Sequence, residues 1–413
     1  MISRDEFNEI KETVEKHKSR TLMTVFGVFW GILMLMLLLG SGNGLENGIT
    51  NMFKGYALSS YHFYSGVTKI PFDGIKENRR IHYTDEDLNL LKSHFKDDIS
   101  YAGARSYTPN NVSVNLGEIT ANSKVYGLDP NMQFIRNVKI EKGRYINARD
   151  IEEIRSVIIL GTDLKELLFE NRQAIGQFIQ IKSNFYKVIG IFSSVKEGEE
   201  ADQENRSSII PHNTFQKNFD RGSKIDNIAV VSFKKNLESK ILEFLRGRHY
   251  VSPEDDEAVR SWNTKKEYSK FQNLFKAIRI FMWVIGIGTL LSGIVGVSNI
   301  MVINIKERTK EIGIRKAIGA TPFMIVKVII LESVIITSFS GYLGISVGIL
   351  IIEGINKALN TFNMKSEFFM NPEINGFVII TAFLTLITSG FLAAYFPAKK
   401  AANIKPIDAL RTE

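Results

Sequence analysis

The sequence contains no cysteine. An extracytoplasmic domain of more than about 150 residues builds its core without disulfides, so this absence leaves the compartment open. Catalytic signatures are missing as well. The 413 residues hold no G-x-x-x-x-G-K-[ST] phosphate loop and no H-E-x-x-H zinc helix. The six histidines include His62, His82 and His94, none at metal-ligand spacing. Each reads as a surface or internally satisfied polar residue. No enzymatic activity, metal or cofactor is expected of this chain itself.

Charge is scarce in one further place. Apolar runs cover 22–39, 278–305, 328–352 and 377–396, interrupted in their middles only by Glu332, towards one end of the third. Each is near or above the roughly 20 residues that cross a hydrocarbon core as a helix. The scarcity of intramembrane charge argues against a proton- or sodium-driven carrier. The mean hydropathy is near zero only because a long polar stretch, 41–276, offsets these runs.

Basic residues flank the spans. The net charge of +8 therefore reads as topology signal rather than as nucleic-acid affinity. Lys16, Lys18 and Arg20 precede the first run. That run is longer than a signal-peptide core, and no A-x-A-like site follows near Ser41-Gly42, so it reads as an uncleaved anchor. The loop after the second run carries Lys306, Arg308, Lys310, Arg315, Lys316 and Lys327, and the tail carries Lys399, Lys400, Lys405 and Arg411. By the positive-inside rule the N-terminus, this loop and the tail are cytoplasmic. Four spans with both ends inside place 41–276 outside. The expected plan is a cytoplasmic amphipathic helix (1–20, with Phe7, Ile10 and Val14 on one stripe), a first span (21–40) and an extracytoplasmic domain (41–276). A second span (277–305), a linking helix (306–322), a third span (323–353), a short external loop (354–374), a fourth span (375–396) and a cytoplasmic tail (397–413) follow. Small residues at four-residue spacing, Gly27 and Gly31, Ser292 and Gly296, Gly344 and Gly348, let helix backbones approach closely. They suit packing within the four spans or a dimer seam.

The 307–320 segment is dense in charge between two apolar runs. Arg308 and Glu311, then Glu311 and Arg315, stand at i,i+3 and i,i+4, and each pair supports a short helix by a few tenths of a kcal/mol. Ile312, Ile314, Ala317 and Ile318 supply apolar surface, Gly319 is a stop, and Thr321-Pro322 starts the next helix. In the domain, 157–160 and 228–233 read as strands, and 178–182 with 185–192 as a hairpin. Segments 85–95 and 163–170 read as helices, the first started by Thr84 and Asp87. The Glu-rich run 196–204 reads as a mobile loop. Helix pattern runs unbroken from Asn263 to Ile305, more than about 60 Å, which projects a stalk beyond the bilayer, with 50–60 as its partner.

The 307–320 segment, together with the closing Tyr395-Phe396-Pro397-Ala398-Lys399-Lys400-Ala401-Ala402 and Pro406-Ile407-Asp408-Ala409-Leu410-Arg411, resembles the permease part of the MacB/FtsX-like family of bacterial ABC transporters. The order of Gly143-Arg144-Tyr145, the 157–161 strand, Gly176 and the hairpin is similar to the MacB-type periplasmic core domain. The resemblance covers essentially the whole chain. It implies four transmembrane α-helices, one then three, with a large α+β domain inserted between the first two and a distal lobe near 124–211. It makes 307–320 the coupling helix, so Glu307, Arg308, Lys310, Glu311, Ile312, Gly313, Arg315, Lys316, Ala317 and Gly319 would meet an ATPase subunit carrying ATP and magnesium. The family's own MacB carries a fused ATP-binding domain, and without a Walker A loop this chain would use a separate subunit. The resemblance further implies a homodimer or heterodimer in the bacterial inner membrane, a membrane-fusion adaptor, and mechanical transmission that exports peptides, antibiotics or lipids. A lipoprotein-releasing LolC/LolE-like permease, an FtsX-like regulator of cell-wall hydrolases and a sensor of antimicrobial peptides are the alternatives.

Overall fold

The computed structural model describes residues 18–234, 236–362, 366, 368–406 and 409. The expected N-terminal amphipathic helix lies almost wholly outside these residues. Helix α1 (Lys18–Lys54) comes first, then β1 (Ser60–Ser65), β2 (Tyr83–Thr84), α2 (Asp85–His94), β3 (Tyr101–Tyr107), β4 (Val112–Leu116), β5 (Ile119–Ser123) and β6 (Val125–Leu128). Next are β7 (Val138–Gly143), α3 (Ala148–Glu152), β8 (Val157–Gly161), α4 (Thr162–Phe169), β9 (Phe178–Ile181), β10 (Asn184–Ser194), α5 (Glu199–Asn205) and β11 (Ser208–Pro211). Then come α6 (His212–Asn218), β12 (Lys224–Ile225), β13 (Asn227–Val231), α7 (Leu237–Arg248) and β14 (Val259–Asn263). Last are α8 (Thr264–Glu307), α9 (Thr309–Ala317), α10 (Pro322–Thr361) and α11 (Gly376–Ala402).

Helices α1, α8, α10 and α11 are each long and apolar enough to cross a membrane, and the α+β domain lies in sequence between the first and second. The chain forms two compact units. One holds the long helices, through Asn47 and from Leu274 onward, and the other holds Gly48–Asn273. Helix α8 is 44 residues long, about 66 Å at the helical rise. Helix α10 stays helical to Thr361, so the link expected from 354 begins later.

Glycines set the contacts among the long helices. A side chain at Gly344 would meet the Phe29 carbonyl oxygen at 2.9 Å, and one at Gly348 would meet Met36 Cβ at 2.6 Å, so this pair seats α10 on α1. A Cβ at Gly31 would stand 3.6 Å from the Thr289 backbone of α8, an ordinary contact. The other small residues differ. Gly27 and Gly296 have open space where a Cβ would stand, and Ser292 is exposed. The segment after α10 ties back to α1, since the Asn43 and Asn47 amides donate to the Glu373 and Asn371 carbonyls at 2.9 Å.

In the domain, among the described residues, a 12-stranded sheet runs β14-β1-β13-β3-β6-β11-β8-β10-β9-β4-β5, with β7 beside β10. The β9–β10 hairpin forms, but Asn184 stands opposite Ile181, so its turn is Lys182-Ser183, one residue earlier than the gap left between 182 and 185 in the sequence pattern. One core gathers Phe63, Tyr83, Leu91, Ile228 and Ile241. A second gathers Val114, Leu160, Leu164, Tyr186 and Phe215. Because β4 pairs with β9, this second core takes in residues before 124. Phe53 at the end of α1 contacts Tyr268 and Phe271 of α8, with ring centroids 5.3 and 5.9 Å apart. The helix stops at Lys54, and Ser60 already opens β1, so only the start of 50–60 is helical.

The Glu-rich run is a correction. It forms α5 rather than a loop, with Ala201 and Glu204 buried. Two of its acids, Glu200 and Glu204, face partners instead of water alone. Glu204 accepts from Arg136 and, at 2.5 Å, from Ser194, while Asn205 accepts the Ser194 N–H at 2.7 Å. His62 is a satisfied core residue, near Ser60 Oγ at 3.2 Å and Asn227 Oδ1 at 3.4 Å, and burial pulls its pKa down to about 4.

Thr84 and Asp87 close the capping box on α2, the Thr84 N–H donating to Asp87 Oδ2 at 2.8 Å. Asp87 also accepts from Arg248 and, at 3.2 Å, from His249. Burial raises its pKa, but the His249 and Arg248 hydrogen bonds outweigh this and hold it at about 2, below the ordinary 3.8. A depressed carboxylate pKa contributes stability above the unfolded value and loses it as pH falls through the folded value. Asp87→Asn is therefore expected to unfold at lower temperature than wild type at pH 6. The two should converge towards pH 2, as followed by circular dichroism, and a constant gap would remove Asp87 from the acid response.

Candidate functional site

The charged link between the second and third long helices builds a compact site. Helix α8 ends at Glu307 and α9 starts at Thr309, whose hydroxyl donates to the Lys306 carbonyl at 2.8 Å. Gly319, at φ +108°, ends the segment, and Thr321 Oγ1 accepts the Met324 N–H at 3.4 Å where α10 begins. The spacing of charges seen in the sequence becomes geometry. Arg308 Nε donates to Glu311 at 3.1 Å, and Arg315 donates to Glu311 at 2.7 Å.

One face of α9 is anchored. Ile312 packs into a cluster with Ile305, Ile325, Ile329, Ala398 and Ala401. Gly313 is buried, and a Cβ there would stand 2.5 Å from that of Ala409. Lys316 Nζ donates to the Ala402 and Ile404 carbonyls, both at 2.7 Å, and so caps α11 with a cation at its carbonyl end. Arg308 reaches Glu332 of α10 at 3.4 Å, and that carboxylate is almost wholly buried. A cavity of about 210 Å³ lies beneath, lined by residues that include Met301, Arg308, Ile312, Arg315, Ile329 and Glu332.

The opposite face is open. Glu307, Lys310, Glu311, Ile314, Ala317, Ile318 and Gly319 are exposed, and Ile318 keeps 82% of its surface. Ile312 and Gly313 are buried, and the half-buried Lys316 is bonded to the end of α11. Arg308 and Arg315 are half-buried and serve both faces. Two features carry no local signal in the sequence: Phe323, 74% exposed in the first turn of α10, and the link from Arg308 to Glu332.

Residues 21–238 match the MacB-like periplasmic core domain, and 283–406 match the FtsX-like permease C-terminal domain. The chain belongs to the MacB-like, FtsX-like permease family. This MacB-like permease is 26% identical over 405 residues to the macrolide export ATP-binding/permease protein MacB of Mannheimia succiniciproducens, across 96% of this chain and 59% of that one. It is 27% identical over 405 residues to the protein of the same name in Aggregatibacter actinomycetemcomitans, with the same coverage. The chain thus spans about 59% of the length of these relatives. The crystal structure of the periplasmic region of MacB from Actinobacillus actinomycetemcomitans aligns with a TM-score of 0.43 and 18% identity, over 53% of this chain and 95% of that one. The MacB-like permease is thus a membrane protein with four span-length helices and a MacB-type extracytoplasmic domain.

Proposed function

We propose that this chain is the permease subunit of a bacterial inner-membrane ABC exporter, working as a dimer with an ATPase borne on a separate chain. The observation that carries this reading is the two-faced α9. Its inner face is bolted to α8, α10 and α11 by Ile312, Gly313, Lys316 and the Arg308–Glu332 pair. Its outer face offers Lys310, Glu311, Ile314 and Ile318 to a protein surface. A force on that face passes into the long helices, because packed helices move as bodies rather than deform. ATP-driven movement of the partner then works the extracytoplasmic domain, and the cargo is a peptide, an antibiotic or a lipid handled there. An adaptor of the membrane-fusion class completes the export path.

The test is affinity purification of the full chain in mild detergent, with identification of the proteins that come with it. A stoichiometric ABC-type ATPase is expected. Glu311→Lys and Arg315→Glu are each expected to lower its recovery at least tenfold, with unchanged thermal unfolding of the permease. Undiminished recovery and ATP-driven export in both variants would remove α9 from the coupling role. Recovery of a cell-wall hydrolase or a kinase in place of the ATPase would favour a regulator or a sensor.

A further inference from the structure

Within the α+β domain, a cleft of about 560 Å³ is lined by Arg105, Lys124, Arg136, Lys196 and Arg206, against only two carboxylates, Glu200 and Glu204. Two of the five cations are answered. Glu204 pairs with Arg136, and Glu200 pairs with Lys196 at 2.7 Å. Among the described residues no ion pair takes up Arg105, Lys124 or Arg206, so the cleft keeps a surplus of three positive charges.

Tyrosine faces hold Arg105, Lys124 and Arg136 in place. The guanidinium carbons of Arg136 and Arg105 lie 4.6 and 5.0 Å from the centre of the Tyr126 ring, and Lys124 Nζ lies 5.0 Å from that of Tyr107. Such stacking fixes a guanidinium fork while leaving its edge free to donate. Burial pushes the Tyr126 phenol up, yet the charges of Arg136, Arg105 and Lys124 together bring it below its ordinary value. Donors are left over. Arg136 is only 9% exposed, and its Nη1 is buried without an acceptor, as is Nε of Arg105. A buried charged donor with no acceptor is destabilising, and an arriving oxyanion removes that cost.

We propose that this cleft binds a phosphate-class oxyanion, held by Arg105, Lys124 and the free edge of Arg136. Phosphate carries up to two negative charges near neutral pH and offers several acceptor oxygens, which suits the surplus and the forks. The group arrives as free phosphate or as the phosphodiester of an anionic phospholipid headgroup. The site stands apart from the ATPase-coupling reading and does not depend on it.

Calorimetric titration of the full chain in neutral detergent tests the assignment. The titrants are sodium phosphate, dihexanoyl phosphatidylglycerol and, for comparison, dihexanoyl phosphatidylcholine. Saturable binding of phosphate identifies a free-anion site, and saturable binding of phosphatidylglycerol alone identifies a headgroup site. In either case Arg105→Ala/Lys124→Ala is expected to weaken binding at least tenfold. Arg206→Ala, at an exposed position that spares the fold, is expected to weaken it several-fold. Lys187→Ala/Lys217→Ala, which removes equal charge from exposed positions elsewhere in the domain, should leave it unchanged. No saturable binding of any titrant, binding that phosphatidylcholine matches, or equal loss in the charge-matched control would overturn the proposal.

Discussion

Arg136→Met should cost the extracytoplasmic domain about 3–5 kcal/mol, the usual penalty for stranding one half of a buried ion pair. Arg136 donates through Nη2 to Glu204, and both side chains are nearly inaccessible. Glu204 has little else to answer its charge besides Ser194 Oγ at 2.5 Å and the more distant Lys196. Burial alone would raise the Glu204 pKa, and the Arg136 charge with the Ser194 hydrogen bond holds it below its ordinary value. Methionine keeps much of the packing volume but removes the one cation bonded directly to this buried carboxylate. For a domain of this size such a loss lowers the unfolding temperature by roughly 10 °C. The sign with pH follows from the pair. In the wild type the depressed pKa adds stability above the unfolded carboxyl value, and that contribution fades as pH falls. In Arg136→Met the Glu204 pKa rises, so the ionised form opposes folding at neutral pH and protonation relieves it. The gap between wild type and variant should be widest near pH 7 and shrink below about pH 4.5. Arg136→Met/Glu204→Leu should recover most of the loss, because two apolar groups replace both charges. Thermal unfolding at pH 7 and pH 4 measures all three proteins. A double variant as unstable as the single one would show that packing, not charge, sets the cost.

What could be read in advance follows the range of the forces involved. The four long helices are legible because each apolar run carries its own signal along consecutive residues. The α2 start is legible because Thr84 and Asp87 sit three apart, and the α9 ion pairs because Arg308, Glu311 and Arg315 fall on one helical surface. The sheet order is not legible. Strand β1 pairs with β13 and β14, so Tyr61 stands opposite Val230 and Asn263, and no local pattern encodes partners that far along the chain. The same holds for α5. Its acids look like a solvated run until Arg136, sixty-eight residues away, comes to meet Glu204. At the candidate site the charged residues were visible, but which of them turn inward was not. That depends on Ala402, Ile404 and Ala409 folding back against α9 from a segment some ninety residues later.

Gly143→Ala is expected to be far more damaging than Gly176→Ala, although both glycines adopt the left-handed region, at φ +81° and +89°. That region alone costs an L-residue about 1–2 kcal/mol. The difference lies in space. A Cβ at Gly143 would stand 2.2 Å from the Ile189 carbonyl oxygen and 2.8 Å from Gly190 Cα, whereas one at Gly176 meets nothing within 4 Å. Gly143 ends β7 opposite Gly190 of β10, one residue before a register shift, so two backbones meet there without side chains between them. Carbonyl and Cα atoms of a paired strand cannot rotate aside as a side-chain tip can, and the sheet must open instead. We therefore expect Gly176→Ala to lose about 1–2 kcal/mol and Gly143→Ala at least about 4 kcal/mol, enough to deplete folded protein in cells. The loss at Gly143 also reaches Arg144, which donates to Asp150 at 2.5 Å and 3.0 Å and ties β7 to α3. Membrane-fraction abundance and thermal unfolding of the two variants side by side decide the matter. Equal losses would mean that backbone strain alone accounts for the glycine and that the β7–β10 approach is loose enough to admit a methyl group.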